Sequence, residues 1–125
     1  MTGAARGIGR AIATRLVQRG DRVALLDLAP DVAATADAIG AAAAVQADVS
    51  DADAVAEAVR EIGPVEILVN NAGLVKNIAP VGRMTSEAWN TELAVNLGGP
   101  FNLIRAVIDP MVEAGWGRIV NISSV

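Results

Sequence analysis

Thr2-Gly3-Ala4-Ala5-Arg6-Gly7-Ile8-Gly9 is the stretch that decides the fold. Glycines at this spacing, directly ahead of an amphipathic run, mark a tight turn from a buried strand into a helix. Such a turn lets the backbone approach a pyrophosphate, and the amides at the helix N-terminus receive its charge. Packing alone would also favour glycine here, so the reading depends on the residues downstream. The turn opens at residue 2, which leaves out the strand that should feed it. The first, central strand is therefore expected to be missing, and the strands around Val23 and Ile67 to lack their shared neighbour. Met1 is read as an internal start and the stop at Val125 as an artificial edge.

Working outward, apolar and polar blocks alternate regularly. Ile8, Ile12, Leu16 and Val17 are predicted on one helical face, with Arg10, Arg15 and Arg19 turned elsewhere and Gly20 as the stop. Arg22 to Asp27 reads as a buried parallel strand ending in an acid. Asp31 to Ile39 is an alanine-rich helix closed by Gly40, and Ala43 to Ala47 a further strand. Ser50 is predicted to cap a helix running to Ile62, with Asp51 and Asp53 in its first turn. Val65 to Val69 is the next strand, and Asn70 to Met84 a loop. Thr85 or Ser86 starts a long helical region reaching about Ala114, with a kink or break predicted at Gly98-Gly99-Pro100. Gly117 to Ile122 is the last strand.

This alternation predicts an α/β fold: a Rossmann-like doubly wound parallel sheet with helices on both faces, lacking its first strand and C-terminal part. Residues 1–125 are read as one partial domain. In such sheets ligands bind beyond the carboxyl ends of the strands. The glycine turn, Asp27, Asp48, Asn70 and Ser124 all fall there.

Composition narrows the chemistry. The chain has 125 residues, 53 % apolar, with a formal charge of −4. No basic run is present, which argues against nucleic acid as a partner. Cysteine and histidine are both absent, which removes thiol nucleophiles, thiolate metal sites and the commonest general base. No metal site is expected. No apolar stretch is long enough to span a bilayer, so no membrane partner is expected and a cytoplasmic location is the default. Trp89 and Trp116 read as packing or interface residues, and Lys76 as solvated surface.

The motifs agree in order and spacing with one family. Thr2-Gly3-x-x-x-Gly7-Ile8-Gly9, Asp27 at the next strand end, Asp48-Val49, Asn70-Asn71-Ala72-Gly73, Trp89 and Asn96 in the long helix, and Ile122-Ser123-Ser124 together resemble the classical short-chain dehydrogenase/reductases. Within them the chain looks most like the 3-oxoacyl-acyl-carrier-protein reductase group. The resemblance covers essentially the whole chain. It implies that Gly3, Gly7 and Gly9 shape the dinucleotide turn, with Arg6 and Ile8 beside the cofactor. Asp48 would bind the adenine amino group and Val49 line that pocket. Asn70, Ala72 and Gly73 would support the ribose side. Asn96 would hold a water in a proton relay, and Ser124 would hydrogen-bond the substrate oxygen. On the residues alone, Asn70 and Asn71 also fit ordinary turn formers, Asn96 a polar residue at a helix break, and Ser124 a strand-end serine.

Asp27 can accept hydrogen bonds from both adenosine ribose hydroxyls, whereas Arg6 would attract a 2′-phosphate; the acid is expected to prevail, giving NAD(H) over NADP(H). The implied function is NAD(P)-dependent hydride transfer between nicotinamide and a small carbonyl or alcohol substrate, in a parent protein that forms dimers or tetramers. The family's Tyr-x-x-x-Lys motif would lie downstream of the serine, and this chain contains no tyrosine. The isolated chain is therefore expected to be inactive. The alternatives are a non-catalytic nucleotide-binding module and an inactive truncated chain.

Overall fold

The computed structural model describes residues 1–76 and 78–123. In chain order they form α1 (Gly7–Gln18), β1 (Ala24–Asp27), α2 (Val32–Ile39), β2 (Ala43–Gln46), α3 (Ala52–Ile62), β3 (Ile67–Asn70), α4 (Ser86–Leu93), α5 (Gly99–Glu113) and β4 (Arg118–Asn121). A 3₁₀ turn at Val81–Arg83 precedes α4. The strands pair in parallel, β1 with β2 and β3 with β4, with Leu25 opposite Ala44 and Asn70 opposite Asn121.

The period-2 alternation of a strand sends neighbouring side chains to opposite faces. Leu25 packs with Ala13, Val32 and Ala36, from α1 and α2. Leu26, next in sequence, packs with Val55, Ala58, Leu103 and Val107, from α3 and α5. Helices therefore cover both faces, as the sequence predicts.

The expectation that β1 and β3 lack a shared neighbour is corrected. Met1–Gly3 lies between them. Leu26 N–H donates to the Met1 carbonyl at 2.9 Å, Gly3 N–H to the Leu26 carbonyl at 2.9 Å, and Thr2 N–H to the Val69 carbonyl at 3.1 Å. A tripeptide is enough to join the two strand pairs at the end where the glycine turn sits. The Met1 nitrogen donates to the Ala24 carbonyl at 2.9 Å, and where it is a free amine, burial lowers its pKa from 8.0 to about 6.

Local details also differ from the sequence reading. Ile8 lies off the buried face of α1, 67 % exposed, and Gly9 and Ala13 form that face instead. The cap of α3 is Asp51, whose carboxylate accepts from the amides of Asp53 and Ala54 at 3.0 and 3.1 Å. Ser50 is drawn away by Asp48 Oδ1, which accepts from its amide at 2.8 Å and its hydroxyl at 2.7 Å. The break predicted at Gly98 is a widening that begins earlier. Ala94–Gly98 form one π-helical turn, and the backbone stays helical through Gly98 and Gly99 into α5. Pro100 directly follows this wide turn, and with no N–H it cannot donate to the turn before it.

Candidate functional site

The glycines of the turn do different work. A Cβ on Gly3 would lie 2.8 Å from Ala72 Cα and 2.9 Å from Asn71 Nδ2, and one on Gly9 would run into the Gly3 carbonyl. These two let the turn close against the loop after β3. Gly7 has φ +57 and nothing within 4 Å of the position a Cβ would take. It supplies a left-handed backbone facing open space.

The turn is clasped from behind. Thr2 is 2 % exposed. Its hydroxyl oxygen accepts from the amides of Asn71 and Ala72, each at 3.0 Å. Asn71 Nδ2 donates to the carbonyls of Thr2 and Gly3 at 3.0 and 3.1 Å. From the other side, Asp27 Oδ2 accepts from the Ala5 amide at 2.8 Å, and Thr35 Oγ1 donates to the Ala5 carbonyl at 3.1 Å. In front, Arg6 offers no side-chain cap to α1, and no acidic residue occupies its first turn. The leading amides of α1 and their share of the helix dipole therefore favour an anion at this end.

The other strand ends carry the remaining predicted residues. Asp27 sits at the end of β1, and its Oδ1 accepts from the Ala29 amide at 2.9 Å. Each carboxylate oxygen thus has one backbone donor and retains capacity for another. Asp48 is tied to Ser50 through Oδ1. Val49 is 6 % exposed and packs into the α3–α5 core, so little of its side chain is left for a ligand to touch. Its carbonyl accepts from Asn102 Nδ2 at 3.0 Å.

Asn70 is 4 % exposed at the end of β3. Its Nδ2 donates to Asn121 Oδ1 at 2.9 Å, while its own Oδ1 has no partner among the described residues. A buried acceptor without a donor is costly, about 1–3 kcal/mol, which marks this atom as one that a ligand or water would complete. Asn96 lies in the π-helical turn. Its Oδ1 accepts from the Leu74 amide at 2.7 Å and its Nδ2 donates to the Leu74 carbonyl at 2.8 Å. The side chain thereby fixes the loop that continues from Ala72 and Gly73. Ser124 lies outside the described residues.

The structure thus gathers Gly3, Arg6, Gly7, Ile8, Gly9 and Asp27 at one end of α1, with Ala72 clasped to the same turn. Asn96 and Gly73 stand together behind Leu74. Sequence reasoning left Thr35 and Asn121 out of the site, and it gave Asn71 a place in the motif but no role of its own. Thr35 carries a signal in retrospect: it shares the buried face of an alanine-rich helix with Val32 and Ala36. Among the described residues no group of three or more Asp or Glu side chains gathers to hold a metal.

Comparison with known proteins agrees with this architecture. A family model described as short chain dehydrogenase matches residues 1–125. A 2-dehydro-3-deoxy-L-rhamnonate dehydrogenase (NAD(+)) from a Sphingomonas species is 40 % identical over 130 residues, covering 100 % of this chain and 52 % of that protein. The crystal structure of a 3-oxoacyl-[acyl-carrier protein] reductase with bound NAD from Brucella melitensis superposes with a TM-score of 0.91 at 46 % identity, covering 98 % of this chain and 51 % of that one. A 3-ketoacyl-ACP reductase from Sinorhizobium meliloti gives a TM-score of 0.93 at 37 % identity, covering 99 % and 52 %. The chain spans about half the length of the curated relatives it matches. With the glycine turn, the parallel strands and a family match over residues 1–125 in agreement, the chain belongs to the short-chain dehydrogenase family.

Proposed function

We propose that these residues hold the dinucleotide of an oxidoreductase that transfers a hydride between nicotinamide and a carbonyl or alcohol substrate. The observation that carries this reading is the turn at Gly7: open in front, clasped behind, and continued by a helix whose first amides have no side-chain cap. A pyrophosphate fits that cradle by charge and by space. When bound, the nicotinamide supplies the hydride acceptor or donor. The chain's own residues bind and orient. Gly7 and the α1 amides take the phosphates, with Ile8 and Arg6 flanking them. Asp27 takes the adenosine ribose and Asp48 the adenine side, with Val49 packed into the core behind it. Asn70 Oδ1 supplies a buried acceptor beyond β3, with Ala72 and Gly73 lining the ribose side. Asn96 holds the Leu74 loop through both its amide oxygen and its amide nitrogen, and the substrate oxygen falls to Ser124.

The same reading favours NAD(H) over NADP(H). A 2′-phosphate beside the Asp27 carboxylate would meet a like charge, opposed by about 4 kcal/mol per pair at about 4 Å and an effective dielectric of about 20. Arg6 would attract a 2′-phosphate, and the Asp27 repulsion is taken to outweigh it.

The chain contains no tyrosine, histidine or cysteine. We therefore propose that these 125 residues bind the dinucleotide but need a proton donor from elsewhere for turnover. The lack of such a donor favours, for these residues alone, the second reading of a non-catalytic binding module. Trp89, Leu93, Leu97, Phe101, Ile108 and Val112, all exposed along α4 and α5, support self-association through that helical face. No helix among the described residues is long and apolar enough to cross a membrane. A cytoplasmic location is part of the same proposal.

The test is to follow nicotinamide absorbance in the protein as its source produces it, offering 3-oxoacyl thioesters and deoxy keto sugar acids. Substrate-dependent NADH oxidation with the 3-oxoacyl thioesters, or NAD+ reduction with the deoxy keto sugar acids, supports hydride transfer. Saturable NADH binding with no turnover supports the binding module instead.

A further inference from the structure

Thr35 is a polar side chain, 7 % exposed, in the middle of an apolar helix face. Burying a hydroxyl is unfavourable unless it is hydrogen-bonded, and its partner lies far away in sequence. Its Oγ1 donates to the Ala5 carbonyl, thirty positions earlier, at 3.1 Å. The amide of the same Ala5 is held by Asp27 Oδ2 at 2.8 Å. Ala5 itself is 3 % exposed. One residue of the turn is thus gripped at both backbone groups, by β1 through Asp27 and by α2 through Thr35.

The Ala5 carbonyl belongs to the peptide that leads into Arg6, the N-cap of α1. The orientation of that peptide decides where α1 begins and where the amides around Gly7 point. Asn71 fixes the turn one step earlier, at the carbonyls of Thr2 and Gly3, so it leaves this peptide free. Only Thr35 grips the Ala5 carbonyl among the described residues.

We infer that Thr35 is a positioning residue for the pyrophosphate: its hydroxyl on the Ala5 carbonyl, with Asp27 on the Ala5 amide, fixes the start of α1 in its anion-receiving geometry. This rests on the dinucleotide reading above. It makes α2 and the end of β1 one hydrogen-bonded unit with the glycine turn. Phosphate affinity then depends on a side chain buried beneath the turn.

The experiment compares Thr35→Val, which keeps shape and removes the donor, with Thr35→Ser, which keeps the donor. Each is titrated with NADH by calorimetry and with adenosine, which carries no phosphate, by NMR, well below the unfolding midpoint. The protein is used as its source produces it. Thr35→Val is expected to weaken NADH about tenfold, the effect of one lost hydrogen bond that leaves a buried acceptor unpaired. Thr35→Ser should stay within about twofold of the unaltered protein, and adenosine affinity should not change in either variant. If Thr35→Val does not fold, Thr35→Ala, which adds no methyl group, carries the same expectation. Equal NADH affinity in the Val or Ala variant and the unaltered protein overturns the inference and leaves the dinucleotide reading standing. Parallel losses for NADH and adenosine also overturn it, because they show general loosening. No NADH binding by the unaltered protein overturns the dinucleotide reading and this inference with it.

Discussion

The glycine turn and the α4–α5 helical pair sit in one small molecule, yet they stand in opposite conditions. Around the turn the chain satisfies itself. Thr2, Asn71, Asp27 and Thr35 pair with backbone groups of residues 2 to 5 and their surroundings, and Ala4 and Ala5 are buried beneath. Along α4 and α5 the chain leaves itself unfinished, with Leu97 and Phe101 exposed by 67 % and 62 %. Buried hydrogen bonds with long sequence separations hold one region in a single geometry. The other has apolar surface left exposed among the described residues. In the proposal above, the first is the cradle for the dinucleotide and the second the face for self-association.

The sharpest way to break this contrast is at the turn. Gly9→Ala drives a methyl group into the Gly3 carbonyl, so it should cost about 3 kcal/mol and abolish NADH binding. Gly7→Ala meets no atom and should cost only the left-handed backbone penalty, about 1–2 kcal/mol. Denaturant titration of both variants checks the order. A Gly7 variant as unstable as the Gly9 variant would show that the turn is not open in front.

The N-terminal tripeptide offers a pH handle. In a chain with a free Met1 amine, the folded pKa is about 6 and the ordinary value 8.0. The unfolded chain therefore binds the proton more readily. Stability is full above pH 8, falls as pH drops, and levels off below pH 6, a total on the order of 3 kcal/mol. Urea unfolding across that window measures it. Acetylation of the amine should flatten the slope, and a slope that survives acetylation assigns it to another group.

Asn71→Ala removes the donor for the carbonyls of Thr2 and Gly3 and should cost about 2 kcal/mol. NADH affinity should fall with it, as calorimetry will read. The smallest effect belongs to the helical face. Phe101→Gln should change the stability of a single chain by less than about 0.5 kcal/mol while shifting sedimentation toward smaller species. A large loss of stability would mean that Phe101 is packed inside the single chain rather than exposed on it.

Legibility in the sequence tracked distance along the chain. The glycine turn and the strand ends at Asp27 and Asn70 are local patterns, and each stands where its motif places it. The α/β alternation with helices on both faces was equally readable, because period-2 strands and 3.6-period helices leave their marks within short windows. Thr35 on Ala5 and Asn70 on Asn121 were invisible, since nothing local links residues thirty or fifty-one positions apart. The cap of α3 was misjudged for a different reason. Ser50 and Asp51 are both good caps, and the choice was made by Asp48, which claims the serine first. The bridging role of Met1–Gly3 was missed because a tripeptide looks too short to be a strand. It needs only the three backbone bonds that tie it to Leu26 and Val69.

The most direct test of the central claim is a calorimetric titration of the protein with NADH and, separately, with NADPH. A self-clasped turn beside Asp27 predicts saturable binding of NADH, tighter than that of NADPH. Absence of NADH binding, or tighter binding of NADPH, would contradict it.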